Sequence, residues 1–156
     1  MPARILLAAA LLALAACGGR PAPATSAGQP AQSAEAESTV GTTTVHVSAV
    51  QTSLLPEAVA RRYGIERAPE RILLLVNLRD MGTGAPPTIT ATVTDLQGHT
   101  TPVALREVRV DPADPQTVDH VGTVEATLPD TLRFEVVAHR AGATSTVQVA
   151  RDFYPQ

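Results

Sequence analysis

Short segments in which aliphatic and polar residues alternate are the feature that most constrains the fold of this chain. Four of them occur: TVHVSA from Thr44, TITATV from Thr88, TLRFEVVA from Thr131 and STVQVA from Ser145. Because side chains of a strand point alternately to opposite faces, this period of two predicts strands with one buried face. The segment RILLLVNLR, which begins at Arg71, is apolar at both parities until Asn77. It predicts a central strand that is covered on both sides.

Turn signals separate these segments, among them GTGAPP, QGH, DPADP, LPD and RAG. The less regular segments Val103–Val110 and Thr117–Leu128 are also expected to be strands. Seven strands at a spacing of roughly 8–12 residues predict an all-β fold, an immunoglobulin-like antiparallel β-sandwich. The chain has only two Tyr, two Phe and no Trp, so its core must be aliphatic.

One segment, SLLPEAVARRYG, departs from the strand pattern and predicts about two turns of helix between the first two strands. Pro56 suits the first helical position, Glu57 suits the positive end of the helix dipole, and Gly64 suits a left-handed C-cap. So short a helix is unstable by itself and must dock on the sheet. The expected contacts are Leu55, Val59 and Tyr63.

Residues 1–16 have the features of a secretory signal peptide. Arg4 precedes an unbroken run of Ile, Leu and Ala that ends at Ala16; as a helix this run would span about 18 Å, well short of the ~30 Å hydrocarbon core. The run closes with LAAC, which resembles the lipobox of bacterial lipoproteins. There the thiol takes a diacylglyceryl group, the chain is cut before the cysteine and the new amine is acylated, so Cys17 is the predicted lipidation site. The alternative is an ordinary secreted protein with a free thiol.

The segment after this cysteine is predicted to be a tether. From Gly18 to Thr39 it contains no Leu, Ile, Val, Phe or Tyr, so it has no apolar face and should be disordered. We therefore assign residues 17–40 to a lipidated, disordered tether and residues 41–156 to one β-sandwich domain. Gly18 would be the second residue of the mature chain. At that position the inner-membrane retention signal of Gram-negative lipoproteins resembles an Asp, which this chain does not have. This favours an outer-membrane lipoprotein that faces the periplasm.

Several segments together resemble a known family. They are the run TTVHVSAVQTSLLPEAVARRYGIERAPERILLLVNL, then DLQG, LREV, DTLRFEV and the terminal DFY. In this order they resemble the proteobacterial periplasmic family catalogued as domain of unknown function 4426, from about Thr43 to Tyr154. The resemblance implies a small periplasmic protein without an assigned activity. The chain departs from the family in its lipobox and long tether, and in Asp119-His120, where an aromatic pair is expected.

The strongest candidate site is the basic end of the predicted helix, Arg61, Arg62 and Tyr63, which is followed by Arg67 and Arg71. Guanidinium and phenol groups gathered at one end of a sandwich could bind an acidic partner chain or an anionic envelope component. The alternative is that the arginines solvate the helix and pair with nearby glutamates, while Tyr63 packs on the sheet.

No metal, cofactor or catalytic residue is predicted. The histidines have neither H-x-H nor H-E-x-x-H spacing, and the acidic segment lacks the Gly and Glu of a calcium loop. A G-x-S-x-G motif and a glycine-rich phosphate loop are also missing from the sequence. The histidines considered are His46, His99, His120 and His139, and the acidic segment is a loop in which Asp111, Asp114 and Asp119 are expected to lie close together.

These features predict a lipid-anchored periplasmic accessory or protein-binding module of the cell envelope, with no chemistry of its own. Its expected partners are the membrane, through the anchor, and an envelope protein that pairs with an exposed strand edge. A formal net charge of −3 gives no reason to expect nucleic acid, and no small-molecule substrate is evident. The alternative is an enzyme or a metal-handling protein with an unrecognised site.

Overall fold

The computed structural model describes residues 34–156, and their elements follow the predicted order of strands around one short helix. The strands are β1 (Glu35–Val40), β2 (Thr43–Gln51), β3 (Arg71–Arg79), β4 (Thr88–Thr94), β5 (Thr100–Pro102), β6 (Arg106–Val108), β7 (Val118–Glu125), β8 (Asp130–Arg140) and β9 (Ala143–Phe153). A 3₁₀ turn (Thr52–Leu54) and the helix α1 (Glu57–Tyr63) lie between β2 and β3. The predicted signal peptide, Cys17 and the tether up to residue 33 lie outside the described residues.

The nine strands form two antiparallel sheets, so the predicted all-β sandwich is confirmed. The five-stranded sheet has the order β1-β2-β3-β7-β6, and the four-stranded sheet has the order β5-β4-β8-β9. Their facing sides enclose a mainly aliphatic core in which Phe134 is fully buried. Within residues 34–156, no helix is long and apolar enough to cross a bilayer.

Strand β3 lies in the middle of the five-stranded sheet, as its apolar character at both parities predicts. Leu74 belongs to the core between the sheets, whereas its neighbour Leu73 belongs to a second cluster on the outer face. Both side chains are almost completely buried. The helix covers the outer face, which explains why this strand has no polar side.

The domain boundary predicted at residue 41 is too late, because β1 begins at Glu35 within the predicted tether. Its alternate residues point inward, and Val40 is fully buried against the core. The strand contains small residues in place of large aliphatic ones, so the period-two pattern was too weak to recognise. Backbone hydrogen bonds to β2 hold this strand in the sheet, because its small side chains contribute little packing.

The predicted count of seven strands is also too low, since β1 and β5 are additional, while the predicted segment Val103–Val110 supplies β6. Strand β5 ends before Val103 in one sheet, and β6 begins at Arg106 in the other. The connection crosses directly over Gly122 of β7. A Cβ atom there would lie 2.7 Å from the carbonyl oxygen of Ala104 and 2.7 Å from Cγ1 of Val103. Only a glycine allows this crossing, which closes one side of the sandwich.

Candidate functional site

Helix α1 lies on the outer face of the five-stranded sheet and is held there by a small apolar cluster. The buried members are Leu55, Ala60, Leu73 and Val121, and Val59 and Tyr63 pack against them. The predicted contacts Leu55, Val59 and Tyr63 are confirmed. Gly64 ends the helix in the left-handed conformation, with φ 59° and ψ 42°, which a glycine adopts without strain.

A polar network lies beneath the end of the helix. The Tyr63 hydroxyl donates a hydrogen bond to Oδ2 of Asp119 over 2.7 Å, and Nδ2 of Asn77 donates to Oδ1 of the same carboxylate over 2.6 Å. Asp119 is only 4% exposed. Burial is the largest cause that raises the pKa of Tyr63 to about 12, and the hydrogen bond and negative charge of Asp119 act in the same direction. The network therefore attaches the helix to β3 and β7.

Sequence reasoning missed this network because it placed Asp119 with Asp111 and Asp114 in one acidic loop. The structure separates them. Asp111 and Asp114 lie in the loop before β7 and accept hydrogen bonds from nearby backbone amides, whereas Asp119 lies within β7 directly opposite Asn77 of β3. One signal of the network was present in the sequence. Asn77 is a polar residue on the same face of a buried strand as Leu73 and Leu75.

Most arginines of the predicted basic cluster have partners within the domain. Arg61 pairs with Glu57 one helical turn earlier, and Nη2 of Arg67 donates to the carbonyl oxygen of Ser53 over 2.5 Å. Arg71 pairs with Glu66 at 2.9 Å and with Glu125 at 2.6 Å. These contacts match the interpretation in which the arginines solvate the helix end and pair with nearby glutamates.

Three exposed guanidinium groups have no hydrogen bond or ion pair to any residue of the described domain: those of Arg62, Arg106 and Arg133, of which Arg133 lies on β8 in the other sheet. Arg106 lies at the rim of a groove of about 460 Å³ between the helix end and the crossing segment. Its lining includes the aliphatic side chains of Ile65, Leu105 and Val121, together with the ion-paired Glu66 and Arg71. A guanidinium beside aliphatic side chains can accommodate a carboxylate that carries an apolar group.

The histidines lie apart from one another. His46 on β2 is near two glutamates of β1, at 3.9 and 3.7 Å, and His99 pairs with Asp95 in the turn after β4 at 2.9 Å. His139 on β8 shares a hydrogen bond with Thr144. His120 on β7 is half-buried, and its Nδ1 atom has no partner among residues 34–156. In that part of the chain no three His, Cys, Asp or Glu side chains are placed to share a metal ion.

The four edge strands differ in the protection they have against pairing with another chain. Strands β5 and β6 are three residues each, and β1 carries two glutamates in six residues. Strand β9 is 11 residues long and pairs, among described strands, with β8 alone. Its first eight residues, ATSTVQVA, contain no charge and no proline. Short length, charge and proline are the usual protection of an edge, and these eight residues of β9 have none of them, although β1 lies beside them and Oγ of Ser145 donates to Oγ of Ser38 over 2.8 Å.

The fold and the site define a class: a small all-β sandwich domain with one helix fastened to its outer face by a buried Tyr-Asp-Asn network. The family model described as Domain of unknown function (DUF4426) matches residues 37–156. The chain therefore belongs to the DUF4426 family, as its resemblance predicted.

A solved structure shares this fold. The chain is similar to the crystal structure of a DUF4426 family protein from Pseudomonas aeruginosa PAO1, with 20% identity and a TM-score of 0.59, over 79% of this chain and 97% of that one. At this identity the likeness supports the fold alone. Comparison with curated proteins gives no significant match.

Proposed function

We propose that this protein is a lipid-anchored, periplasm-facing binding module of the cell envelope that acts by pairing with a partner chain, without chemistry of its own. The anchor is Cys17, at the end of the LAAC motif. Several acyl chains hold a protein on a membrane stably, whereas one holds it only marginally. Anchoring also raises the effective concentration of the domain for partners in the same membrane.

The observation that carries the binding role is the edge of β9. An extended segment of another protein can add to such an edge through main-chain hydrogen bonds, and pockets for alternate side chains then provide specificity. The opposite side of the sandwich offers only β5 and β6 as edges, which are three residues each and are joined by the crossing over Gly122. The partner strand would therefore add beside β9 and extend the four-stranded sheet, and β1, whose Ser38 contacts Ser145 of β9, would move aside to admit it.

The basic helix end provides a second contact for an acidic part of the same partner. Of the three residues predicted to bind a partner, Arg61 and Tyr63 are engaged within the domain. Arg62 is exposed, as is Arg106 on β6, across the groove from the helix end. We assign the attraction of acidic groups to these two arginines.

The anchor and the edge are tested separately. Cys17→Ser should abolish lipid labelling and release the protein from the membrane fraction, because the thiol is the sole attachment point. Labelled, membrane-bound Cys17→Ser protein would refute the anchor.

For the edge, Thr146→Lys places a charge on β9, and Thr92→Lys places the same charge on the same sheet, where β4 has a neighbour on each side. Crosslinking in membranes should identify a partner that the wild type and the Thr92→Lys variant capture equally and the Thr146→Lys variant captures several-fold less. Equal capture by all three proteins would exclude β9 as the docking edge.

A further inference from the structure

The chain enters the described domain at one particular end of the sandwich. The carbonyl oxygen of Ala34 accepts a hydrogen bond from the amide of Ala49 over 3.1 Å, near the end of β2. Two residues further on, Nε2 of Gln51 donates to the carbonyl oxygen of Tyr154 over 3.0 Å. Since strands rise about 3.3 Å per residue, the entry point lies within about 7 Å, along the strand direction, of the end at which Tyr154 lies.

The same end carries an exposed apolar surface, the apolar tip, formed by Leu96, Pro129 and Tyr154. These residues line one shallow depression of about 180 Å³ together with Asp130 and Asp152. Leu96 is 68% exposed and Tyr154 is 60% exposed. The Leu96 amide donates to Oδ1 of Asp130 over 3.0 Å, so the β4–β5 turn that presents Leu96 is fastened to the start of β8. Isolated exposed apolar residues are common, but here two of the four large apolar side chains exposed in the described domain, Leu96 and Tyr154, line one depression.

We propose that the apolar tip rests on the surface of the bilayer that holds the lipid anchor, an inference that rests on the anchor of the proposed function. A flexible chain of the length from Cys17 to Ala34 has a typical end-to-end distance of about 21–25 Å, so the end at which the chain enters the domain is on average the end nearest the anchor. Leucine adds apolar contact there, and a tyrosine places its ring among the headgroups while its hydroxyl stays in water.

The charges around the tip specify the kind of bilayer surface. Asp130 and Asp152 lie in the depression itself, and Asp95 lies at the start of the turn that carries Leu96. These carboxylates would be repelled by anionic headgroups, and the repulsion is stronger at low ionic strength. The tip therefore fits a surface of zwitterionic headgroups.

The test uses the full lipidated chain, in which Cys17 is consumed by the thioether, so that an introduced cysteine is the sole free thiol. Leu96→Cys, Tyr154→Cys and Val110→Cys are each labelled with a small fluorophore and reconstituted in phosphatidylcholine vesicles that contain a headgroup quencher. Val110 is a matched control, because it is 40% exposed and follows β6 towards the opposite end of the sandwich.

Quenching should be several-fold stronger at positions 96 and 154 than at position 110, and admixture of anionic lipid should reduce this difference. Equal quenching at all three positions would overturn the proposal and leave the tip as a surface for a protein partner. Protein that is not lipidated and does not associate with vesicles would instead refute the anchor, and with it this inference. Lipidated, vesicle-bound protein with an unquenched tip refutes the inference alone.

Discussion

The two faces of the five-stranded sheet are both buried, but they are built from different chemistry. The inner face packs aliphatic side chains against the other sheet, and β1, β2, β3 and β7 all contribute to it. The outer face is covered by a helix of only seven residues, and beneath its end lies the carboxylate of Asp119 with its two donors. The large inner face is held by apolar packing, whereas the small apolar contact under the helix is strengthened by hydrogen bonds to one buried carboxylate.

The largest expected effect compares two adjacent leucines of β3. Leu74→Ala creates a cavity between two sheets that cannot approach each other, whereas Leu73→Ala creates one beneath a short helix that can shift. Both should lower the free energy of unfolding by about 2–5 kcal/mol, with Leu74→Ala nearer the upper limit. Urea unfolding monitored by circular dichroism measures both. An equal or larger loss for Leu73→Ala would show that the helix is as rigid as the opposite sheet.

The second prediction concerns Tyr63, which joins the apolar and polar parts of the outer face. Tyr63→Ala removes both and should cost about 3–5 kcal/mol. Tyr63→Phe keeps the ring but leaves Asp119 without one donor, so it should cost about 1–3 kcal/mol. Thermal unfolding gives the ranking. If Tyr63→Phe were neutral, the hydrogen bond to Asp119 would contribute nothing to docking the helix.

The third prediction tests the electrostatic part of this network. In a Tyr154→Phe variant Tyr63 is the sole tyrosine, and ultraviolet absorbance should report its ionisation with a pKa of about 12. Adding Asp119→Asn should lower this pKa by less than the whole shift, because burial is the largest cause. Circular dichroism at each pH verifies that the domain is folded. A pKa unchanged by Asp119→Asn would mean that burial alone raises it.

The fourth prediction concerns His120, whose pKa is lowered mainly by burial, while Glu107 and Asp119 act in the opposite direction. The unfolded chain therefore binds a proton near pH 6.5 that the folded domain does not. The stability due to neutral His120 is complete above about pH 6.5 and is lost as the pH falls towards the lower folded pKa.

Urea unfolding at about pH 7.5 and about pH 5 measures this dependence. The loss on acidification should be smaller in His120→Gln than in the wild type. The variant of exposed His139, His139→Gln, is the control and should keep the wild-type dependence. If His120→Gln behaved like that control, the ring would titrate as in the unfolded chain.

The smallest effect is expected for Arg61→Ala combined with Arg62→Ala at the exposed helix end. The Arg61–Glu57 pair is surface-exposed, so the double variant should cost under about 1 kcal/mol. Capture of the crosslinked partner should nevertheless weaken if the basic end attracts acidic groups. Full capture of the partner by the double variant would mean that these two arginines only solvate the helix end. A cost as large as that of Tyr63→Phe would instead mean that the pair helps to hold the helix.

Patterns within single elements predicted most of the sandwich, the position of α1 and its Gly64 cap. The period of two and the local turn signals act over a few residues, and so the sequence displays them directly. β1 escaped recognition because its inward residues are small, and its pairing with β2 depends on a neighbour. The candidate site was predicted only in part: Tyr63 was correctly expected to pack, but its partner Asp119 lies 56 residues away and was assigned to a loop.

The sequence by itself determined that this chain forms an aliphatic all-β domain with one docked helix, because alternation and capping are local properties of the residues. Tertiary structure alone decided which polar groups meet. The antiparallel register of β3 and β7 places Asn77 opposite Asp119, and the helix end brings Tyr63 to the same carboxylate. It also decided that the crossing over Gly122 links the two sheets on one side of the sandwich, while at the other side the outer edge of β9 has no hydrogen-bonded strand among those described. Such pairings depend on how distant segments align, and no local pattern encodes that alignment.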